Sequence, residues 1–216
     1  MNRTEFVARW GYWKAFNALI ARKLYQYFGI KLLVIKFGPL PEEGTTCETD
    51  SDLVFRVATR DELLKATTNP LLNMSKRFVE DALERGHKCI AAFDGNDLVG
   101  YSWRSVSETL LNHSVKVQFP EELVYHYKSF VLPDYRGKRI LEGVKRVHFD
   151  SSTYQGRSSG FNCVEYSNYA SLKASSKQGE VTVGYIILRA SGGKSWCWHS
   201  SGPKKAGIRF CPVITL

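Results

Sequence analysis

Long apolar runs and paired cysteine motifs are both missing from this chain of 216 residues. No segment approaches the roughly 20 apolar residues that a membrane-spanning helix needs, and the N-terminus lacks the pattern of a secretory signal. The five cysteines are an odd number, with no Cys-x-x-Cys pair and no metal-like spacing to the five histidines. We therefore expect reduced thiols, no metal site and a cytoplasmic protein, built as one domain with an extension.

Acidic residues are scarce at the N-terminus. The net charge of the chain is +9, and residues 1–36 hold seven cations against one acid, so that +6 of the total lies in the first sixth of the chain. Such a balance indicates an acidic partner, which could be coenzyme phosphates, a nucleic acid, an anionic membrane or an acidic carrier protein. Charge alone does not choose among these partners.

The first 28 residues have the pattern of one amphipathic helix that ends at Gly29. We favour packing of its aromatic face on the protein, and docking on an anionic bilayer or partner is the alternative. Nucleic acid is disfavoured because the aromatic residues follow a helix stripe, whereas base stacking uses a strand platform. The stripe consists of Phe6, Trp10, Trp13, Phe16, Ile20, Leu24 and Tyr27.

The next segments separate this extension from the rest of the chain. Residues 31–37 are either a strand or the end of the extension, and residues 38–52 have the prolines, glycines and acids of a linker. We therefore predict a basic, aromatic extension with its linker at 1–49 and a folded domain at 50–216. In that domain, Thr59-Arg60-Asp61-Glu62 is a capping box that opens a helix, and Asp94-Gly95-Asn96-Asp97 joins two strands of a hairpin.

A strand, a basic turn and a helix follow one another from Tyr125 to Val147. The first residues are β-formers, Pro133 ends the ladder, and apolar residues then recur at helical spacing. The turn at 133–139 carries three cations around Gly137 at the start of that helix. Free N–H groups beside these cations suit a phosphate or pyrophosphate, although a solvated basic loop is the alternative.

This stretch resembles a motif of a known superfamily. Val131-x-Pro133-x-Tyr135-Arg136-Gly137-Lys138 and the helix after it are similar to motif A of the GNAT N-acetyltransferases, whose turn holds the pyrophosphate of acetyl-coenzyme A (acetyl-CoA). The family has small residues where this chain has Arg139 and Leu141. Glycine lets the backbone approach the phosphates, so Arg139 either turns its side chain outward or adds its charge to the cofactor.

Residues 161–179 resemble motif B of the same superfamily, in which Asn-x-x-Ala/Ser opens a helix beside the pantetheine arm and a glycine closes it. Here a strand ends in Glu165, Asn168 and Ser171 match the opening, and Gly179 stands at the close. Either Ser167 or Asn168 is expected to cap the helix. The two motifs occur in the family's order, with a helix and a strand between them.

The resemblance implies a fold and an activity. The fold is α+β, with a mixed central sheet flanked by helices in the order β-α-α-β-β-β-α-β-α-β-β after the amphipathic extension. The activity is transfer of an acetyl or related acyl group from acyl-CoA to a primary amine by direct attack, without a covalent enzyme intermediate, so Cys163 is expected to be a core thiol. The cofactor-binding residues it implies are Phe130, Val131, Leu132, Arg136, Gly137, Lys138, Arg139, Ile140, Asn168 and Ser171.

Catalysis needs a base for the amine and an acid for the leaving sulfur. Glu165 is the first choice of base, although an ion pair with Lys128 is an equally good interpretation of this residue. His126 and Tyr127 are second choices and lie on opposite faces of their strand. Many GNAT enzymes have a tyrosine seven residues after the motif B asparagine to protonate the sulfur, and here that position holds Ser175, a much poorer acid.

Two alternatives remain. The donor could be a long-chain acyl group on CoA or on an acyl carrier protein docked at the N-terminus, or the protein could be a non-catalytic module that binds a membrane or another anionic partner. Trp196 and Trp198 are expected in the core, with the acceptor pocket as the alternative. The acceptor that the resemblance implies is an unidentified small-molecule or peptide amine, and the cytoplasmic protein could attach peripherally to the inner membrane surface through residues 1–36.

Overall fold

The computed structural model describes residues 3–40, 52–112, 115–147, 156–191 and 194–213, without the side chains of residues 3, 190, 191, 194 and 195. These residues form two compact units. The first unit comprises Met1–Gly38, Ser107–Pro120 and Phe161–Leu216, and the second comprises Pro39–Val106 and Glu121–Gly160.

The first unit holds the N-terminal helices and two groups of strands. Strand β1 pairs antiparallel with β9, Ile30 lying opposite Arg189 and Phe37 opposite Val181. The order of the larger group is β10-β9-β1-β8, and the smaller sheet has the order β11-β6-β5. Its elements are α1 (Arg3–Trp10), α2 (Tyr12–Phe28), β1 (Ile30–Pro39), β5 (Thr109–Asn112), β6 (Val115–Gln118), β8 (Ser159–Glu165), α6 (Tyr169–Lys177), β9 (Val181–Ser191), β10 (Lys194–His199), α7 (Ser201–Lys205) and β11 (Arg209–Pro212).

The second unit is a three-layer arrangement around four strands in the order β7-β4-β3-β2, which pair antiparallel. Helices α3 and α4 cover one face, where Leu63 and Val79 pack with Trp103, and α5 covers the other, where Val144 packs with Val99. Its elements are β2 (Val54–Val57), α3 (Arg60–Ala66), a 3-10 turn (Pro70–Leu72), α4 (Lys76–Glu84), β3 (Lys88–Asp94), β4 (Asp97–Ser105), β7 (Leu123–Val131), a second 3-10 turn (Pro133–Tyr135) and α5 (Ile140–Arg146).

The predicted fold class is confirmed, and so are its local signals. Thr59 and Glu62 form the capping box of α3, and residues 94–97 turn β3 into β4. The predicted element order recurs with three strands and one helix added, namely β5, β6, β10 and α7. The strands β5 and β6 were missed because four residues each are too few for a clear alternation. The predicted boundary at residue 49 lies outside the described residues and stays a prediction.

Three expectations for particular segments are settled by the structure. The N-terminal helix is not continuous, because Gly11 adopts φ 84° and separates α1 from α2. Residues 31–37 belong to a strand, β1. The expectation that Trp196 and Trp198 lie in the core was wrong: they lie on β10 with 41% and 54% of their surfaces exposed.

Gly100 of β4 lies in close contact with the start of α5. A Cβ added there would lie 2.7 Å from Cγ2 of Ile140, the first residue of α5. We expect Gly100→Ala to lower the free energy of unfolding by about 1–3 kcal/mol, as overpacking of a core does. Denaturant titration measures this. The double variant Gly100→Ala/Ile140→Leu removes the branched methyl that the new Cβ meets, so part of the loss should be recovered; simple additivity would contradict this explanation.

The ion pair at the start of α3 makes stability depend on pH. The Arg56 guanidinium, followed by the Thr59 backbone N–H, lowers the pKa of Glu62 from 4.5 to about 2. A carboxyl with a lowered pKa contributes stability above its unfolded pKa and loses it as the pH falls through its folded pKa. We therefore expect the stability difference between the wild type and Glu62→Gln to shrink as the pH falls from about 4.5 to about 2.

Denaturant titrations across that pH range measure the difference. The matched control is Glu80→Gln, because Glu80 makes a longer ion pair of 3.9 Å with Lys76 on α4. The control should alter the pH profile much less. A Glu62→Gln difference that stays constant down to pH 2 would contradict the assignment.

Candidate active site

Strand β7 carries an irregularity at its centre. Tyr127 lies opposite Trp103, and Phe130 lies opposite Tyr101, so that two residues of β7 face the single Ser102 of β4. This is a β-bulge, which bends a strand and interrupts its pairing. Lys128, within the bulge, has φ 44°, and the hydroxyls of Ser102 and Ser129 are hydrogen-bonded across it at 2.7 Å.

After the bulge, the register of β7 decides which residues direct their backbone N–H and C=O groups towards β4. The Leu132 N–H donates to the Val99 carbonyl of β4 at 2.9 Å, and Val131 lies opposite Gly100 in the same register. Because neighbouring residues of an antiparallel strand direct their polar groups to opposite sides, Val131 presents its N–H and C=O to the side away from β4. The Arg136 Nε donates to this carbonyl at 3.4 Å.

The basic turn is ordered by its aromatic residues. The Tyr135 hydroxyl donates to Asp94 at 2.6 Å, and the Lys138 ammonium lies 4.7 Å from the Tyr135 ring centroid. The Arg136 guanidinium lies 5.9 Å from the Phe130 ring centroid. The side chains of Arg136 and Lys138 are both exposed. The turn therefore presents two positive charges to solvent from a fixed backbone.

Two residues of the turn have left-handed backbone conformations. Gly137 has φ 92° and Arg139 has φ 56°, and the latter is the position at which the GNAT pattern has glycine. A non-glycine residue is strained in this region. The Arg139 guanidinium pairs with the Glu142 carboxylate at 2.7 Å, so its side chain turns towards α5. This pairing lowers the pKa of Glu142.

The far end of α5 is held by a buried arginine. Arg104 of β4 donates to the carbonyls of Val144 and Lys145 at 3.0 and 2.9 Å. A cation at the C-terminus of a helix satisfies carbonyls that have no partner within the helix and interacts favourably with the helix dipole. Sequence reasoning missed Arg104 because a buried arginine has no local signal; only the fold brings it to α5.

The two second-choice bases lie on opposite faces of β7, as alternation requires. His126 is buried, and its Nε2 has no hydrogen-bond partner among the described residues. Burial, followed by the charges of Arg104 and Lys145, holds the pKa of His126 well below its ordinary value. The ring is therefore neutral and enclosed, which suits it poorly to exchange protons with a substrate.

Tyr127 is half-buried and forms a hydrogen bond that the sequence did not predict. Its hydroxyl lies 2.5 Å from Nδ1 of His87. Burial, followed by the charge of Arg85, lowers the pKa of His87 to about 4, so the imidazole is neutral at pH 7. Beside this pair, the Lys128 ammonium lies 4.1 Å from the Phe78 ring centroid, and burial lowers the pKa of Lys128. His87 was missed because it is 40 residues from Tyr127 in the sequence.

The first unit holds the motif B residues. The Asn168 side chain accepts from the Ser171 N–H at 3.2 Å, so Asn168 is the cap of α6, and Gly179 follows the helix with φ 79°. Ser175 is buried. Glu165 is exposed and forms an ion pair with Lys31 at 3.2 Å, whereas the sequence suggested Lys128 as its partner. Cys163 is half-buried rather than part of the core.

The predicted residues thus fall into two groups. Phe130 to Ile140 form one continuous segment of the second unit, close in sequence to Tyr127, and the side chain of Ile140 is buried. Glu165, Asn168, Ser171 and Ser175 lie along β8 and α6, in or next to these elements of the first unit. Residues that sequence reasoning missed are His87, Arg104 and Lys31.

No protein-family model matches the sequence, and no curated protein matches it. Among solved structures, a GNAT-family acetyltransferase from Novosphingobium aromaticivorans is similar to it with a TM-score of 0.50 and 10% identity, over 73% of this chain and 62% of that chain. A Staphylococcus epidermidis protein of unknown function has a TM-score of 0.46 and 10% identity, over 78% and 65%. An acetyltransferase from Salmonella typhimurium, solved with its cofactor acetyl-CoA, has a TM-score of 0.41 and 15% identity, over 60% and 79%.

This chain therefore spans less than two thirds of the length of the first two structures. Identities of 10% bear on the fold and not on the reaction. The chain has the fold of the GNAT superfamily.

Proposed function

We propose that this protein is an N-acyltransferase, which moves an acetyl or related acyl group from acyl-CoA to a primary amine by direct attack. The observation that carries the proposal is the bulge of β7, followed directly by a basic turn and the start of α5. The bulge interrupts regular pairing, and Val131 then directs a donor and an acceptor away from β4. An extended chain of amides, such as pantetheine, can pair with such a strand as another strand would.

The turn suits the phosphates of the coenzyme. The N–H groups of Ile140 and Leu141 lie in the first turn of α5, where they have no acceptor within the helix. Apart from its two chain neighbours, no described residue has an atom within 4 Å of the position that a Cβ of Gly137 would take, so its backbone is open to a close approach. Arg136 and Lys138 add positive charge. Arg139 contributes less, because Glu142 already neutralises its side chain.

The remaining assignments extend this proposal to the motif B residues. Asn168 and Ser171 would flank the pantetheine arm through the start of α6, with the Asn168 side chain already engaged in the cap. Phe130 and Leu132 would frame Val131 on the strand. Ser175 is a poor proton donor for the leaving sulfur, and its burial leaves the thiolate to depart with water or unassisted.

Proton removal from the amine has two candidates with complementary properties. Glu165 is exposed, and its carboxylate pairs with a single lysine, so it retains acceptor capacity. Tyr127 is half-buried, and its hydroxyl is oriented by a neutral His87 that can accept its proton. A general base must lie within hydrogen-bond reach of the proton it takes. Glu165 stays our first choice, Tyr127 with His87 is second, and enclosed His126 is third.

Cofactor binding is tested by calorimetry and kinetics with acetyl-CoA. We expect Lys138→Ala to raise KM by on the order of tenfold, as the loss of one charge-assisted contact does, with kcat nearly unchanged. Arg136→Ala should weaken binding in the calorimeter, and Arg139→Ala should have a smaller effect than either. The matched control is Arg77→Ala, which removes an exposed cation from α4 of the same unit.

The control should leave KM unchanged. An absence of binding at micromolar protein, or binding that Arg136→Ala and Lys138→Ala do not alter, would contradict the proposal. Acyl donors of increasing chain length, on CoA and on acyl carrier protein, distinguish acetyl transfer from the long-chain alternative. Mass spectrometry of the product of each small-molecule or peptide amine identifies the acceptor.

The base is tested by the pH dependence of kcat. We expect Glu165→Gln to lower kcat by about 10²-fold or more near neutral pH, and less as the pH rises and free amine becomes plentiful. Because this change also breaks the ion pair with Lys31, Lys31→Gln is the matched control and should retain most of kcat. If Glu165→Gln keeps full kcat and Tyr127→Phe loses it, the base is Tyr127 with His87.

A further inference from the structure

Helix α2 buries none of its residues, although it is rich in aromatic and aliphatic side chains. Tyr12 is 84% exposed, Trp13 72% and Tyr27 74%. At 100° per residue, seven of the nine exposed apolar residues of α2 fall within an arc of about 140°, and Tyr25 and Phe28 lie outside it. We call this arc the α2 face, and it consists of Tyr12, Trp13, Phe16, Leu19, Ile20, Leu24 and Tyr27.

The opposite side of α2 carries three alanines, together with Lys14, Arg22 and Tyr25. Ala15, Asn17, Ala18 and Ala21 are the half-buried positions of the helix. A surface helix ordinarily turns its large apolar side chains to the core and its small or polar ones to water. Here the alanines face the protein and the residues of the α2 face turn outward, whereas Tyr25, on the alanine side, has its ring centroid 4.4 Å from the Lys31 ammonium. The expectation that the whole aromatic stripe packs on the protein was therefore wrong for α2.

This arrangement, with large apolar side chains facing outward, begins after Gly11. Before it, Phe6 and Trp10 of α1 pack against Tyr169 of α6, with ring centroids 6.1 and 6.0 Å apart. The Lys14 ammonium lies 5.4 Å from the same Tyr169 ring centroid. These contacts, all within the first unit, attach the N-terminal end of α2. The α2 face is consequently a surface held in place by the fold.

The charge of helix α2 favours an anionic partner. Helix α2 has three cations, Lys14, Arg22 and Lys23, and no acid. Lys23 falls within the arc of the α2 face, between Tyr12 and Phe16 on the helical wheel. A second copy of the chain on this face would bring two such lysines together in an apolar interface, which is unfavourable. In a bilayer interface a lysine extends its ammonium to the phosphate groups while its stem stays apolar.

The size and composition of the helix fit a bilayer surface. Seventeen residues of α-helix extend about 25 Å. In the part of the chain that the structure describes, no helix has the length and apolar character to cross a membrane. Trp and Tyr prefer the level of the lipid headgroups, and a basic helix with an aromatic face lies in that plane. An exposed apolar patch rimmed by polar residues marks an interaction site.

We propose that the α2 face docks in the surface of an anionic phospholipid bilayer, with the helix lying parallel to the membrane. Phe16, Ile20 and Tyr27 enter the boundary between headgroups and acyl chains, and Lys23 meets the lipid phosphates. This surface is independent of the proposed acyl transfer. It would attach the protein to a membrane whether or not that reaction is correct.

Vesicle sedimentation of the full chain tests the proposal. We expect binding to phosphatidylcholine vesicles that contain about 30% phosphatidylglycerol, weaker binding to phosphatidylcholine alone, and loss of binding as salt is raised. Phe16→Glu/Ile20→Glu should weaken binding by about tenfold or more. The matched control, Leu71→Glu/Val181→Glu, adds the same charge at two exposed apolar positions elsewhere and should bind as the wild type does.

Tryptophan fluorescence gives a second readout. Vesicles should shift the emission of the wild type to the blue, and Trp13→Phe should lose most of that shift while still sedimenting. Equal binding of wild type and Phe16→Glu/Ile20→Glu would overturn the proposal. So would a concentration-dependent dimer without lipid, in analytical ultracentrifugation, that the glutamate variant abolishes, because the α2 face would then be an interface between copies.

Discussion

The bulge in β7 is the constraint on which the second unit depends. One extra residue between Tyr127 and Phe130 shifts the register against β4, and it decides which backbone groups of Val131 face away from that strand. It also reverses the side of the sheet to which later side chains point, since a slip of one residue exchanges the two faces. The basic turn and α5 follow within ten residues. Their orientation therefore follows from a strained lysine at φ 44°.

Helix α5 is fixed at three places by groups that allow little movement. Its first residue, Ile140, lies over Gly100, and an added Cβ at Gly143 would lie 2.5 Å from the Phe55 ring. Arg104 binds its last carbonyls. A seven-residue helix is too short to be stable by itself, so these contacts supply its stability. They hold its first turn, and the N–H groups there, in position without any ligand.

Much of this architecture could be predicted from the sequence. Features that depend on contacts between residues far apart in the sequence could not be predicted. The capping box at Thr59, the cap at Asn168 and the turn at 94–97 depend on neighbouring residues, and all were predicted, the cap as either Ser167 or Asn168. The bulge, Arg104 and the pairing of His87 with Tyr127 depend on strand register and on partners 40 or more residues away. The spacing of residues in the sequence therefore identifies a site formed by backbone groups better than a site formed by side chains from distant segments.

The N-terminal helices show a different limit of sequence patterns. Periodicity identified the aromatic stripe, but a pattern of spacings cannot tell which solvent a face meets, because protein cores and lipid surfaces select similar residues. The glycine at position 11 divides the stripe, and Phe6 and Trp10, before it, pack against Tyr169. The half-buried residues on the other side of α2 show which side of the helix packs on the protein. A helix that packs through alanines leaves its larger side chains for something outside the fold.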